Sequence, residues 1–261
     1  MKFSIIRHSV QILILVLFVL GNAGILKFLE GDLSSSLLFK SLGLSDPFAV
    51  LQLLLAGFGL ASASIIGACI ILAFYALIAH RAFCGWVCPI NLLSDFGAWI
   101  KARLKFAHNL SNFSPNARYY VLVLVLLGSF CFHIAVFESF SQIGAFTRAV
   151  VFLNSSAFSI AIIILALEIF VQKRLICSHL CPLGAFWAFA SYYSLIRIKH
   201  KVANCTKCNA CKAICPEPRP LGLVGKSDGF VGFECISCGR CVEICKDDAL
   251  NFSILKIGGK K

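Results

Sequence analysis

Apolar residues in this chain come in long blocks rather than in alternation. Four blocks approach the roughly 20 apolar residues that a helix needs to cross a bilayer. They run Val10–Leu26, Gly59–Ile78, Tyr119–Phe137 and Phe152–Val171. A shorter run, Phe48–Leu55, follows Pro47 and reads as an interfacial segment or an extension of the second block. The first block has features of a cleaved signal: Lys2 and Arg7, an apolar stretch, then small Gly21 and Ala23. Apolar character resumes over Gly24–Leu26, which favours a retained helix. Near Lys199 the pattern breaks into short stretches punctuated by Cys, Gly and Pro. The expected fold is therefore an α-helical membrane protein with four transmembrane helices, residues 1–199. A small, cysteine-rich α+β domain follows over residues 200–261.

Composition sharpens this. Apolar residues make up 59% and charged ones 14%, against about 45–50% and about 25% in soluble domains. Mean hydropathy is +0.87, so a purely soluble enzyme is excluded. The net charge of +12 could suggest nucleic acid. In so hydrophobic a chain it fits positive-inside topology beside an anionic leaflet, and no nucleic-acid partner is expected. Arg81, Lys101, Arg103, Lys105 and Arg118 lie between the second and third blocks, and Lys173, Arg174, Arg197, Lys199 and Lys201 follow the fourth. The other two loops hold only Lys27, Lys40 and Arg148. That asymmetry places both termini and the cysteine-rich tail on the cytoplasmic side of a bacterial inner membrane.

The membrane half contains a repeat. Arg81-Ala82-Phe83-Cys84-Gly85-Trp86-Val87-Cys88-Pro89 and Arg174-Leu175-Ile176-Cys177-Ser178-His179-Leu180-Cys181-Pro182 both read R-x-x-C-x-x-x-C-P. Parallel repeats are related by an axis along the membrane normal, which would set the two motifs facing each other at the cytoplasmic rim. Cysteines at i and i+4 share a helix face. The proline disfavours helical geometry at the second cysteine and suits the start of a new helix. Behind Pro89, Leu93, Phe96, Gly97, Ile100 and Leu104 make an apolar stripe beside Lys101, Arg103 and Lys105, the pattern of a surface-lying helix. Behind Pro182, Phe186, Trp187, Tyr192 and Tyr193 read as interfacial aromatics. Cys84, Cys88, Cys177 and Cys181 are candidate redox or metal thiols, near basic residues that favour thiolate. Structural cysteines at helix ends are the bland alternative. Cys69 and Cys131, mid-span, read as packing residues.

The tail carries the most specific signal. Cys205-x2-Cys208-x2-Cys211-x3-Cys215-Pro216 is followed by Cys235-x2-Cys238-x2-Cys241-x3-Cys245. This is the bacterial [4Fe–4S] run, in which the fourth cysteine of each run binds the other cluster. The expected ligands are Cys205, Cys208, Cys211 and Cys245 for one cluster and Cys235, Cys238, Cys241 and Cys215 for the other. Lys246 stands where the second run would usually have proline. Zinc sites use separated cysteine pairs, and a disulfide framework needs an oxidising compartment. In so small a domain the clusters themselves should supply much of the folding energy.

Ionisable groups within spans suggest function. His133 and Glu138, with Gln142 just beyond, are candidates for taking up quinol protons at the outer surface. A capping or interfacial histidine is the alternative. Glu168 is expected to pair with Lys173 or Arg174, and b-type haem is disfavoured because only His133 lies within a span.

Four spans, the doubled R-x-x-C-x-x-x-C-P motif and the terminal two-cluster module resemble the NapH family, and Cys84-Gly85-Trp86-Val87-Cys88-Pro89-Ile90-Asn91-Leu92 is especially similar. That family is the ferredoxin-type membrane component of a quinol dehydrogenase. The resemblance implies electrons drawn from menaquinol or ubiquinol in the quinone pool. They would pass, with the periplasmic iron–sulfur partner NapG, toward the subunits of periplasmic nitrate reductase. NosR, CcoG and MauN proteins share the same core. The rim thiols keep an alternative open, a redox biogenesis factor for a metalloenzyme.

Overall fold

The computed structural model describes residues 2–25, 29–38, 42–104 and 113–254. Leu26, Lys27, Lys40 and Lys105, which bound the first block or enter the loop charges above, lie outside the described residues. In chain order the elements are α1 (Lys2–Asn22), β1 (Leu29–Gly31), β2 (Ser35–Leu38), β3 (Leu42–Ser45), α2 (Pro47–Leu55), α3 (Ser62–Ile78), α4 (Ala82–Trp86) and α5 (Pro89–Arg103). Then come α6 (Ala117–Phe132), α7 (Val136–Phe140), α8 (Gln142–Val151) and α9 (Ser156–Ala166), the last continued by a π-helical turn, Leu167–Val171. A second π-helical turn, Leu175–Leu180, precedes α10 (Pro182–Ala190), β4 (Ile196–His200), α11 (Ala210–Ile214), β5 (Gly229–Phe230), α12 (Arg240–Ile244) and β6 (Leu250–Ile254).

Among the described residues, α1 is the one helix long and apolar enough to cross a membrane. Ser62–Ile78, Ala117–Phe132 and Ser156–Val171 are shorter apolar helices. At 1.5 Å per residue these reach about 25 Å, somewhat less than a hydrocarbon core of about 30 Å. The third block stops early because His133 takes left-handed geometry (φ 54°) and caps α6, so the helix does not run on to Phe137. The first starts earlier than its apolar block, at Lys2.

The chain divides into two compact units. One comprises Gln11–Leu72 and Cys88–Phe186. In it β1, β2 and β3 form an antiparallel meander, which the hydropathy pattern did not signal. Helix α2 is separate from α3: Asp46 caps it, accepting from Phe48 N at 3.2 Å, and Pro47 opens it. Burial pushes the Asp46 carboxyl up to about 7, and Glu138 adds to the shift. Helix α5 turns a polar face inward. Asn91, Ser94, Asp95 and Lys101 are buried, whereas Phe96, Trp99 and Leu104 point outward. Gly97 lets α5 approach α9 and its π turn closely, since a β carbon there would meet Glu168 Cβ at 3.3 Å. Cys69 and Cys131, expected as packing residues, are exposed on their helices.

The other unit comprises Met1–Val10, Ala73–Val87 and Trp187–Lys261. Its sheet has the order β5-β4-β6, antiparallel throughout, and α11 packs against α12. The small core is Ile198, Leu221, Val224, Val231 and Leu250 together with Cys211 and Cys241. Trp187 belongs to the interior rather than an interface: it is 1% exposed, stacks on Phe83 at 5.8 Å and meets Tyr75 edge-on. Tyr192 and Tyr193 are exposed.

Candidate iron–sulfur site

The two cysteine runs share one backbone path. Lys207 and Ser237, two residues past the first cysteine of each run, are left-handed (φ 58° and 51°). So are Asn209 and Gly239, four residues past it (φ 58° and 74°). Such geometry is rare outside Gly and Asn. Held at four matched positions, it winds each Cys-x2-Cys-x2-Cys loop around a common interior. One short helix follows each loop, α11 or α12, and ends at an extended cysteine, Cys215 (ψ 126°) or Cys245 (ψ 103°).

The sulfurs gather in two groups. Cys205, Cys208, Cys211 and Cys245 line a cavity of about 210 Å³, with Lys207, Lys212, Lys226 and Asp247 also on its wall. Cys211 feels the charge of Cys245 and Cys208. In the other group, Cys235 and Cys241 both feel Cys238 and Cys215. Burial first, and then the neighbouring sulfurs, push the Cys235 thiol up to about 12. Cys241 is raised more strongly, burial again leading. Cations that draw off the protons let such crowded thiols bind as thiolates. Among the described residues, no three His, Cys, Asp or Glu side chains converge on a point as a single metal ion requires. The four sulfurs around the cavity are spaced as the ligands of an iron–sulfur cube would be. Cys241 also feels Cys211 across the groups, so the two sites are neighbours.

The rim motifs share a backbone as well. Arg81 and Arg174 are both left-handed (φ 44° and 56°). Cys88 and Cys181 are extended before Pro89 and Pro182, which open α5 and α10 as the sequence implies. Cys84 sits in α4 and is half-buried. The second motif lies in a buried polar network. Arg174 pairs with Asp95 and donates to Asn91 Oδ1 at 3.0 Å. Glu168 accepts from Ser94 Oγ and from the Arg174 backbone N–H, both at 2.8 Å. Ser94 Oγ also lies 3.4 Å from Cys177 Sγ. Burial, reinforced by Glu168, raises the Cys177 thiol far above its ordinary range despite Arg174. Burial thus outweighs the opposing charge of Arg174 at this thiol.

Comparison with known proteins agrees with this layout. A "4Fe-4S dicluster domain" matches residues 197–246. A "4Fe-4S binding domain" matches twice, at 60–107 and 153–202, starting 93 residues apart, the same interval as Cys84 to Cys177. The chain is 35% identical to the ferredoxin-type protein NapH of Haemophilus influenzae, over 97% of this chain and 90% of the relative. It is 32% identical to NapH of Escherichia coli, over 100% and 92%. The chain belongs to the NapH family of ferredoxin-type proteins. It is also 31% identical to the methylamine utilization ferredoxin-type protein MauN of Paracoccus denitrificans, over 87% of this chain and 81% of that one. No solved structure matches.

In this NapH-family chain, His133 and Glu138 occupy structural positions. His133 caps α6, with Nδ1 2.9 Å from Ala56 O. Glu138 accepts from Ser34 Oγ at 2.8 Å and pairs with Arg148 at 3.3 Å. Glu168 accepts from the backbone N–H of Arg174, one of the two residues it is expected to pair with. Sequence reasoning did not single out Asp95, Ser94 and Glu217, or the part Arg81 and Arg174 play in meeting Glu217 and Asp95. The available signal was that an arginine opens both copies of the motif at the same offset.

Proposed function

We propose that this chain is the membrane component of a quinol dehydrogenase. It holds two [4Fe–4S] clusters on the cytoplasmic face and passes electrons from menaquinol or ubiquinol, together with a NapG-type periplasmic iron–sulfur protein, toward periplasmic nitrate reductase. The observation that carries the reading is the pair of four-sulfur groups on identically wound loops. Cys205, Cys208, Cys211 and Cys245 would hold the first cluster, and Cys215, Cys235, Cys238 and Cys241 the second. Each cluster, when bound, stores one electron without a proton. The protein's part is to supply the thiolates, exclude water from the second loop and keep the two sites adjacent.

A membrane setting, with residues 1–199 in and along the bilayer and 200–261 in the cytoplasm, is supported by the inside-out character of the first unit. Leu124, Leu127, Phe130, Phe158 and Ile162 point outward, while Gln52, Asp95, Arg118 and Glu168 are buried. Exposed apolar helix faces around a polar interior are what lipid selects. We leave His133 and Glu138 out of the proton path, since both are engaged in capping and pairing.

The test uses the full chain purified anaerobically with its periplasmic partner. A menaquinol analogue should bleach the iron–sulfur absorption and raise a reduced-cluster EPR signal. Clusters that dithionite reduces but the quinol leaves oxidised would contradict the quinol role. Cys84→Ser and Cys181→Ser should weaken reduction by quinol. Unchanged reduction beside a metal-deficient partner enzyme would move the rim thiols to an assembly role.

A further inference from the structure

The two cysteine loops repeat each other in spacing and backbone, yet they are not equivalent. In the first, Thr206 to Asn209 are exposed, Cys208 included; in the second, Ile236 to Gly239 are all buried. Since the backbones match, the difference comes from what covers them. Phe3 lies against Gly239, and the rest of the cover includes the stretch His80–Trp86, which holds the start of the first R-x-x-C-x-x-x-C-P motif. Trp86 Nε1 donates to Ser237 O at 3.1 Å, and Ser237 Oγ donates to His80 O at 2.9 Å. Gly85 lies so close to Ile236 O that a β carbon would collide with it. The residues between Cys235 and Cys238 are thus clasped from one side.

Arg81 completes the clasp. Nη1 donates to Glu234 O at 3.0 Å, one residue before Cys235, and to Glu217 Oε2 at 2.6 Å, two residues after Cys215. One guanidinium therefore ties together the chain segments that present two sulfurs of the second group. Its own backbone is fixed: left-handed, with the N–H donating to Ser191 Oγ at 3.0 Å. The Arg81 side chain is 2% exposed and that of Glu217 7%. Arg219, at 33%, pairs with Glu217 at 3.4 Å and Glu234 at 3.2 Å from the more open side. Guanidinium stays charged at any working pH, and a buried charge acts over several ångströms with little screening.

We propose that Arg81 is a positioning residue for the second cluster, holding the Cys215 and Cys235 segments in register and stabilising the extra negative charge of the reduced cube, so that the two clusters differ in potential for a reason built into the rim motif. This rests on the two-cluster reading above. The step concerned is a one-electron reduction, with quinol or, in the test, dithionite as reductant; no proton moves and no bond breaks.

The test is an EPR-monitored redox titration of the full-length protein in detergent, with the two signals assigned by their loss in Cys208→Ser and Cys238→Ser. Arg81→Gln should lower the second cluster's midpoint and leave the first unchanged. Glu217→Gln should raise it. Arg219→Gln should give a smaller shift than Arg81→Gln, and Arg81→Lys should recover part of the loss. Opposite shifts from Arg81→Gln and Glu217→Gln separate a charge effect from simple disruption. If Arg81→Gln assembles only the first cluster, its positioning role is supported and Glu217→Gln tests the electrostatic one. Equal shifts of both clusters, shifts in the same direction from both substitutions, no shift, or loss of both clusters would overturn the proposal. A wild-type chain without clusters would instead overturn the reading on which it rests.

Discussion

Gly85 is the residue at which a single methyl group is most informative. Alanine is the better helix former by about 1 kcal/mol, yet its β carbon would press on the Ile236 carbonyl. Overpacking of this kind costs about 1–3 kcal/mol, so Gly85→Ala should lower the thermal unfolding midpoint of the intact protein. His80 gives a pH dependence. Its ring is buried, with Nδ1 2.8 Å from Ser191 O and 3.1 Å from Ser194 Oγ. Desolvation, aided by the charge of Arg197, lowers its pKa from 6.5 to about 4. Folded His80 therefore stays neutral while the unfolded chain takes up a proton. Stability should fall as pH drops from about 6.5 toward 4, by at most about 1.4 kcal/mol per unit from this group. His80→Asn should flatten that slope in unfolding measurements at pH 7, 6 and 5; an unaltered slope would remove His80 from the account. The eight tail cysteines were legible in sequence because their spacing is itself the chemistry. The inward turn of Arg81 was not, since a positive charge at the end of an apolar block looks the same whether it faces water or a buried carboxylate.

Among elements, α5 carries the sharpest contrast between pattern and packing. Its apolar stripe suggested a helix lying on a surface, but Asn91, Ser94 and Asp95, spaced three and four apart, turn inward to meet Arg174, Glu168 and Cys177. In a lipid-facing protein the rule of apolar inside reverses, so periodicity finds the faces without saying which is buried. Breaking one side of a buried pair costs about 3–5 kcal/mol, whereas replacing both partners by apolar groups is often nearly neutral. Asp95→Leu and Arg174→Met should each destabilise the protein in detergent, and the double substitution should recover most of the loss. Additive losses would show that the two side chains are not coupled. The prolines were legible for a local reason: each forces the preceding cysteine out of helical geometry and starts a helix. The β1–β3 meander was not, because short runs of Ser, Leu and Gly carry little alternation.

At the scale of the whole molecule, two duplications organise the chain. One, at an offset of 93, is recovered by the doubled family match; the other, at 30, is seen in paired left-handed residues. Both were visible in sequence because they are written in cysteines, and the first in prolines as well. What sequence could not express is that the second cysteine loop is covered and the first is open, a tertiary asymmetry laid over a symmetric repeat. The tail's apolar core is so small that the clusters must supply much of its stability. Stripping iron with a strong chelator should therefore collapse its sheet signal in circular dichroism, while the helical signal largely persists. The most direct measurement is iron and acid-labile sulfide per chain in the full-length protein purified without oxygen. Two four-iron cubes require about eight of each, with Cys238→Ser leaving about four; zinc in place of iron, or a colourless chain with neither, would contradict the account.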